Sequence, residues 1–165
     1  MPEFYGTLVG ADAYHEARLN TAWTGVASSP ADAKEAALLR ASVWVDGSYG
    51  AKFSGVRSDG RDQSREWPRT NATDAAGNAI PTDEVPVEVL NATYEAAMRE
   101  LTTPGSLSPD YTPSQGVKQE TVGPISVTYR DGTGSQVRPV ATVVDDIMRS
   151  LVGRISGNVI WAMRA

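Results

Sequence analysis

The sequence predicts a mainly α-helical fold: a small bundle of about four helices with a long irregular loop, one β-hairpin and an extended C-terminal tail. Three observations lead there. Apolar residues recur at helical spacing in four separate stretches. Between them the chain is rich in glycine and proline, with fifteen and ten among 165 residues. Only one short stretch alternates apolar and polar residues as a half-buried strand does. A chain of this length is the size of one domain, here residues 1–165, with a core of its own.

The strongest stripe lies in Pro86–Leu101, where Val87, Leu90, Tyr94, Ala97, Met98 and Leu101 line up and Glu88, Asn91, Glu95 and Arg99 fall opposite. Pro86 suits the first helical position, where its missing N–H has no partner to lose. Thr102-Thr103-Pro104-Gly105 stops the helix. The small Ala92, Ala96 and Ala97 let a neighbouring helix come close, so this helix is expected at the centre.

In chain order, residues 1–10 are an apolar lead-in and Ala11–Asn20 is a modest helix. His15 lies on that helix with no second ligand or nucleophile nearby, and is read as a surface or capping residue. Trp23, in the turn that follows, is read as an anchor against the core. Ser29-Pro30-Ala31-Asp32 combines a cap, a first-turn proline and a first-turn acid. The helix it starts should run to about Asp46 and stop at Gly47. Its buried side is Ala37, Leu38, Ala41, Trp44 and Val45, with Lys34, Glu35, Arg40 and Ser42 wet.

Residues 47–85 form the long loop inside a helical core spanning 11–103. A loop of this length within a domain is usually functional or mobile. At its middle stands Arg65-Glu66-Trp67-Pro68-Arg69. Two readings stay open: Trp67 pins the loop to the body, or Arg57, Arg61, Arg65 and Arg69 join Trp67 in a contact surface. After the Thr103–Gln115 connector, Val117–Val122 and Ile125–Arg130 read as a hairpin within 116–131, turning at Gly123-Pro124. Ile125, Val127 and Tyr129 share its apolar face. A lone hairpin is marginal in water, so this face must be covered by the helices or by another subunit. Residues 139–152 form the last helix, with Asp145, Asp146 and Arg149 facing out. The tail 153–165 carries Ile155, Val159, Ile160, Trp161 and Met163, with only Arg154 and Arg164 charged. Loose tails are usually polar, so this one belongs in a groove of its own subunit or on a partner.

Several chemistries are excluded or unsupported. With no cysteine there is no disulfide, thiolate metal site or cysteine nucleophile. One histidine leaves no His-rich metal site, and the aspartates form no calcium loop closed by a glutamate. No Gly-Lys-Ser/Thr follows the early glycines, and no serine has an elbow motif with a base. No catalytic, cofactor-binding or metal-binding residue is therefore assigned, and the chain reads as a non-enzyme. Net charge −5 argues against a general phosphate-binding face. No signal peptide and no apolar run long enough to span a bilayer are visible, so the chain reads as a soluble protein made in a cytoplasm, with no membrane partner.

The ordered runs ADAYHEARLNTAW, SPADAKEAALLRASVWVDGSYG, QSREWPR, IPTDEVPVEVLNATYEAAMREL and VKQETVGPISVTYRD resemble tailed-phage head–tail connector, or adaptor, proteins. Similar chains are often labelled DnaT-like single-stranded-DNA-binding proteins. The resemblance spans nearly the whole chain. It is sharpest at Ala13-Tyr14-His15, Trp67-Pro68-Arg69 and the Ile80 to Pro86 approach to the central helix. It implies a homo-oligomeric ring, twelve-fold in such necks, seated beneath the portal protein in the virion neck. DNA would pass through its lumen without specific binding, and a downstream neck, stopper or tail protein would dock below. By the same resemblance, Arg154, Ile155, Val159, Ile160, Trp161 and Met163 would dock on the portal. The Arg65, Trp67, Arg69 loop and the Ile125, Val127, Tyr129 hairpin face would meet neighbouring subunits. The tail here is longer and more aromatic than the family's minimal pattern. The label points to a rival expectation, a single-stranded-DNA-binding module, which needs a positive groove with stacking aromatics. Trp67 with Arg61, Arg65 and Arg69 is its candidate patch.

Overall fold

A computed structural model of the chain describes residues 4–26, 31–109, 119–122, 125–128 and 141–153. Within them lie α1 (Leu8–Glu16), α2 (Thr21–Thr24), α3 (Ala31–Tyr49), α4 (Val87–Thr102) and α5 (Thr142–Val152). Two short antiparallel ribbons accompany them: β1 (Val56–Arg57) with β2 (Arg69–Thr70), and β3 (Gln119–Val122) with β4 (Ile125–Thr128). The fold is mainly helical, as expected.

Helix α4 is the hub, in contact with α1, α2, α3 and α5. Pro86 is its N-cap rather than its first helical residue, so the helix starts one place later than expected, at Val87. The alanines explain the close packing: Ala37 and Ala41 of α3 and Ala92, Ala96 and Ala97 of α4 are all buried, and Leu38, Val45 and Val89 fill the space between. Val144, Met148 and Leu151 of α5 close the other side.

Being surrounded changes which residues are wet. Val87, expected on the buried stripe, is 57% exposed, while Glu95 and Glu100 are buried. Every residue from Ala92 to Ala97 is buried, so the polar groups there are accommodated by hydrogen bonds: Tyr14 Oη donates to Glu95 Oε1 at 3.1 Å. The expected wet residues Lys34 and Ser42 of α3 are also buried, Lys34 against the Asp12 carboxylate and Ser42 where its Oγ accepts from Tyr5 N at 2.9 Å.

The ends of the helices differ modestly from expectation. α1 begins at Leu8, because Thr7 Oγ1 caps it by accepting from Gly10 N at 3.0 Å. α3 runs through Gly47 to Tyr49. A mid-helix glycine costs about 1 kcal/mol, and burial of Tyr49, whose hydroxyl donates to Asp145 on α5, offsets it. Asp145, expected to face solvent, is thereby tied to α3. The backbone pairing of the predicted hairpin is present, with Val122 opposite Ile125 and Glu120 opposite Val127. Ser29 and Pro30, residues 110–118 (the end of the Thr103–Gln115 connector and the start of the first hairpin strand), Gly123-Pro124, Tyr129, Pro139, Val140 and the docking tail 154–165 lie outside the described residues.

Candidate functional site

The long loop is tied down along its length. β1 pairs with β2 across it, Ser54 Oγ donates to Thr73 O at 2.6 Å, and Thr73 bridges Ala79. Gly55 is required where the strands meet: its φ is +66°, and a Cβ there would stand 2.3 Å from Thr70 O. The buried Gln63 amide staples the turn, donating to Arg65 O at 2.8 Å and Pro68 O at 3.0 Å.

The Arg-Trp-Pro-Arg stretch is turned inward. Trp67, joined to Pro68 by a cis bond, is 2% exposed and meets Phe53 edge-on, with ring centroids 5.4 Å apart. Its backbone N–H donates to Tyr5 Oη at 3.1 Å. Tyr5 in turn donates to Asp46, and Arg65 lies 3.5 Å from the same carboxylate. Arg69 is buried and donates to Ser54 O and Gly55 O at 2.8 Å each, and to Glu66 Oε2 at 2.7 Å. Of the two readings left open by the sequence, the structure shows the pin. Arg65, Trp67 and Arg69 are engaged inside the subunit, whereas Arg61 is exposed.

The polar groups of α1 are also internal. His15 is fully buried, which corrects the surface reading. Its Nε2 lies 3.1 Å from Tyr94 O and its Nδ1 lies 3.0 Å from Asn20 Nδ2. A carbonyl only accepts, so Nε2 carries the hydrogen and Nδ1 accepts from the Asn20 amide. Burial pushes the His15 pKa down, keeping the ring neutral. Trp23, anchored as expected, stacks on His15 with centroids 4.7 Å apart and donates to Asp12 Oδ1 at 2.7 Å. Lys34 Nζ reaches the same oxygen at 2.8 Å. Partial burial works to raise the Asp12 pKa, but the Lys34 and Trp23 hydrogen bonds outweigh it and hold the carboxyl below its usual value. Asp46 goes the other way, raised by burial beyond what Tyr5 and Arg65 recover. Sequence spacing could not reveal the longest of these links, His15 to Tyr94 and Tyr5 to Asp46, whose partners stand 79 and 41 residues apart in the chain.

At the C-terminal end of α4, Glu100 Oε1 receives Arg40 Nε at 2.8 Å and Gly105 N at 2.9 Å, holding the turn that ends the helix. Beside it opens an apolar groove of about 450 Å³, lined by Ala22, Trp44, Met98, Thr102, Leu107 and Ala141 among others. Its lining combines α2, α3, the end of α4 and the approach to α5, and no periodicity in the sequence marks it. Among the described residues no cluster of three or more metal-ligating side chains occurs. No helix there is long and apolar enough to cross a membrane.

No curated protein and no solved structure matches the chain. One family model does, over residues 3–165. The chain belongs to the family described as "Putative DnaT-like ssDNA binding protein".

Proposed function

We propose that the chain is a structural head-to-tail adaptor of a tailed-phage virion, without enzymatic activity. Copies form a ring in the neck beneath the portal, extend the DNA channel and seat the next neck or tail protein. The tail residues Arg154, Ile155, Val159, Ile160, Trp161 and Met163 dock on the portal.

The inward fate of Trp67 and Arg69 carries this reading. These are the residues that a stacking, phosphate-binding interface would display, and they are locked into the subunit's own core. What they build is rigidity, which suits a ring component. An acidic subunit with net charge −5 also suits a lumen through which DNA must slide, since a basic one would hold phosphates. The β3–β4 ribbon has only two strands among the described residues, and so small a sheet calls for further cover. Neighbouring subunits in a ring supply it.

The family description favours a second reading, a single-stranded-DNA-binding module. Two measurements separate them. Under the adaptor reading, deleting 154–165 leaves a folded subunit that no longer joins the portal, and an oligonucleotide titration at low salt shows no tight binding. A truncated chain that still joins the portal sinks the tail assignment. Tight, salt-sensitive oligonucleotide binding favours the module.

A further inference from the structure

We infer that in the free subunit the apolar groove at the C-terminal end of α4 is the seat of the chain's own tail, Arg154–Ala165. The groove is open and is lined by the buried or half-buried Trp44, Met98, Leu107 and Ala141, with Ala22 and Thr102 exposed. Its 450 Å³ is in the range of sites that enclose a sizeable apolar group. The chain beyond α5 offers such groups in Ile155, Val159, Ile160, Trp161 and Met163, with charges only at Arg154 and Arg164.

The layout of α5 makes the connection feasible. Ala141, just before α5, lines the groove at the C-terminal end of α4. At the other end of α5, Ser150 donates to Glu88 in the first turn of α4 at 3.3 Å, so the two helices run antiparallel. The tail therefore starts one helix length from the groove, ~16 Å for the eleven residues of α5. Gly153 adopts φ 75°, ψ −167°, a conformation essentially reserved for glycine, and takes the chain off the helix axis. The eight residues that follow Gly153, through Trp161, could span up to ~26 Å if extended, enough to return along α5. A tether this short acts like a millimolar local concentration, so a micromolar second copy competes poorly.

The seat goes beyond the adaptor role and rests on it only for its consequence. A tail drawn off by the portal would leave the groove vacant at the opposite end of α5. The next neck component would then find a site that unassembled subunits lack, and assembly would acquire an order.

The absence of native cysteine makes the test direct. The full chain is prepared as T102C with V159C, and as V56C with V159C for a control on exposed β1. Both are oxidised mildly at micromolar concentration. The seat predicts a disulfide within one chain that closes at least about tenfold faster in the T102C pair than in the control. Equal rates overturn it, and so do disulfide-linked dimers as the main product. S106C replaces T102C if the latter loses its cooperative melt. Portal binding is scored separately on the unmodified chain, so a missing cross-link with intact portal binding removes the seat and leaves the adaptor reading standing.

Discussion

Replacing Trp67 by alanine tests whether the loop's large aromatic ring supports the subunit or serves a surface. The ring is 2% exposed and packs on Phe53, and its backbone N–H is held by Tyr5. Truncating a fully buried tryptophan typically costs about 3–5 kcal/mol, the lost transfer energy plus the cavity left behind. A domain has only about 5–15 kcal/mol in hand. At roughly 2–4 °C per kcal/mol for this size of chain, the midpoint should fall by about 6–20 °C. W67F should cost much less. Trp67 Nε1 is buried with no hydrogen-bond partner, so phenylalanine removes an unsatisfied donor that itself costs about 1–3 kcal/mol. Thermal and urea unfolding of the two variants, followed by circular dichroism, measure both effects. A W67A loss below about 0.5 kcal/mol, the range of ordinary surface substitutions, would refute the packing argument.

Other perturbations test other parts of the scaffold. The His15 pKa is depressed in the fold, so its neutral form contributes stability that is complete above the unfolded value near 6.5 and lost as pH falls below it. The slope can reach about 1.4 kcal/mol per pH unit, and urea midpoints between pH 7 and 5 should fall more steeply for the wild type than for H15Q. Asp46, raised by burial, contributes in the opposite sense, which is why the difference between the two proteins is the quantity to read. G55A should lose at least about 1–2 kcal/mol from its left-handed backbone alone, with the contact to Thr70 O adding to it in the same melt. E100A should cost about 1.5–3 kcal/mol by removing the charged acceptor of the Gly105 N–H, and faster amide exchange at Gly105 would report it.

The helices were legible because amphipathic periodicity survives in any helix with one wet side, as in α5. It misled at α4, where neighbours on several sides bury Glu95 and the expected core residue Val87 is exposed. The helix stop at Gly47 was overridden by a tertiary contact, Tyr49 with Asp145, ninety-six residues away in sequence. A lone histidine carries no local sign that a carbonyl on another helix awaits it, so His15 could not be placed. The Trp-Pro pair marked the pin in the loop, but not whether it faced inward. That depended on Tyr5 and Phe53, which lie outside the stretch. The groove was invisible because several separate elements line it.

The central claim is met most directly by electron microscopy of the purified chain mixed with a tailed-phage portal protein. The adaptor account predicts a closed ring of this chain seated on the portal, with the C-terminal segments in contact with it. Free subunits beside bare portals, under conditions where the chain coats single-stranded DNA, would contradict it.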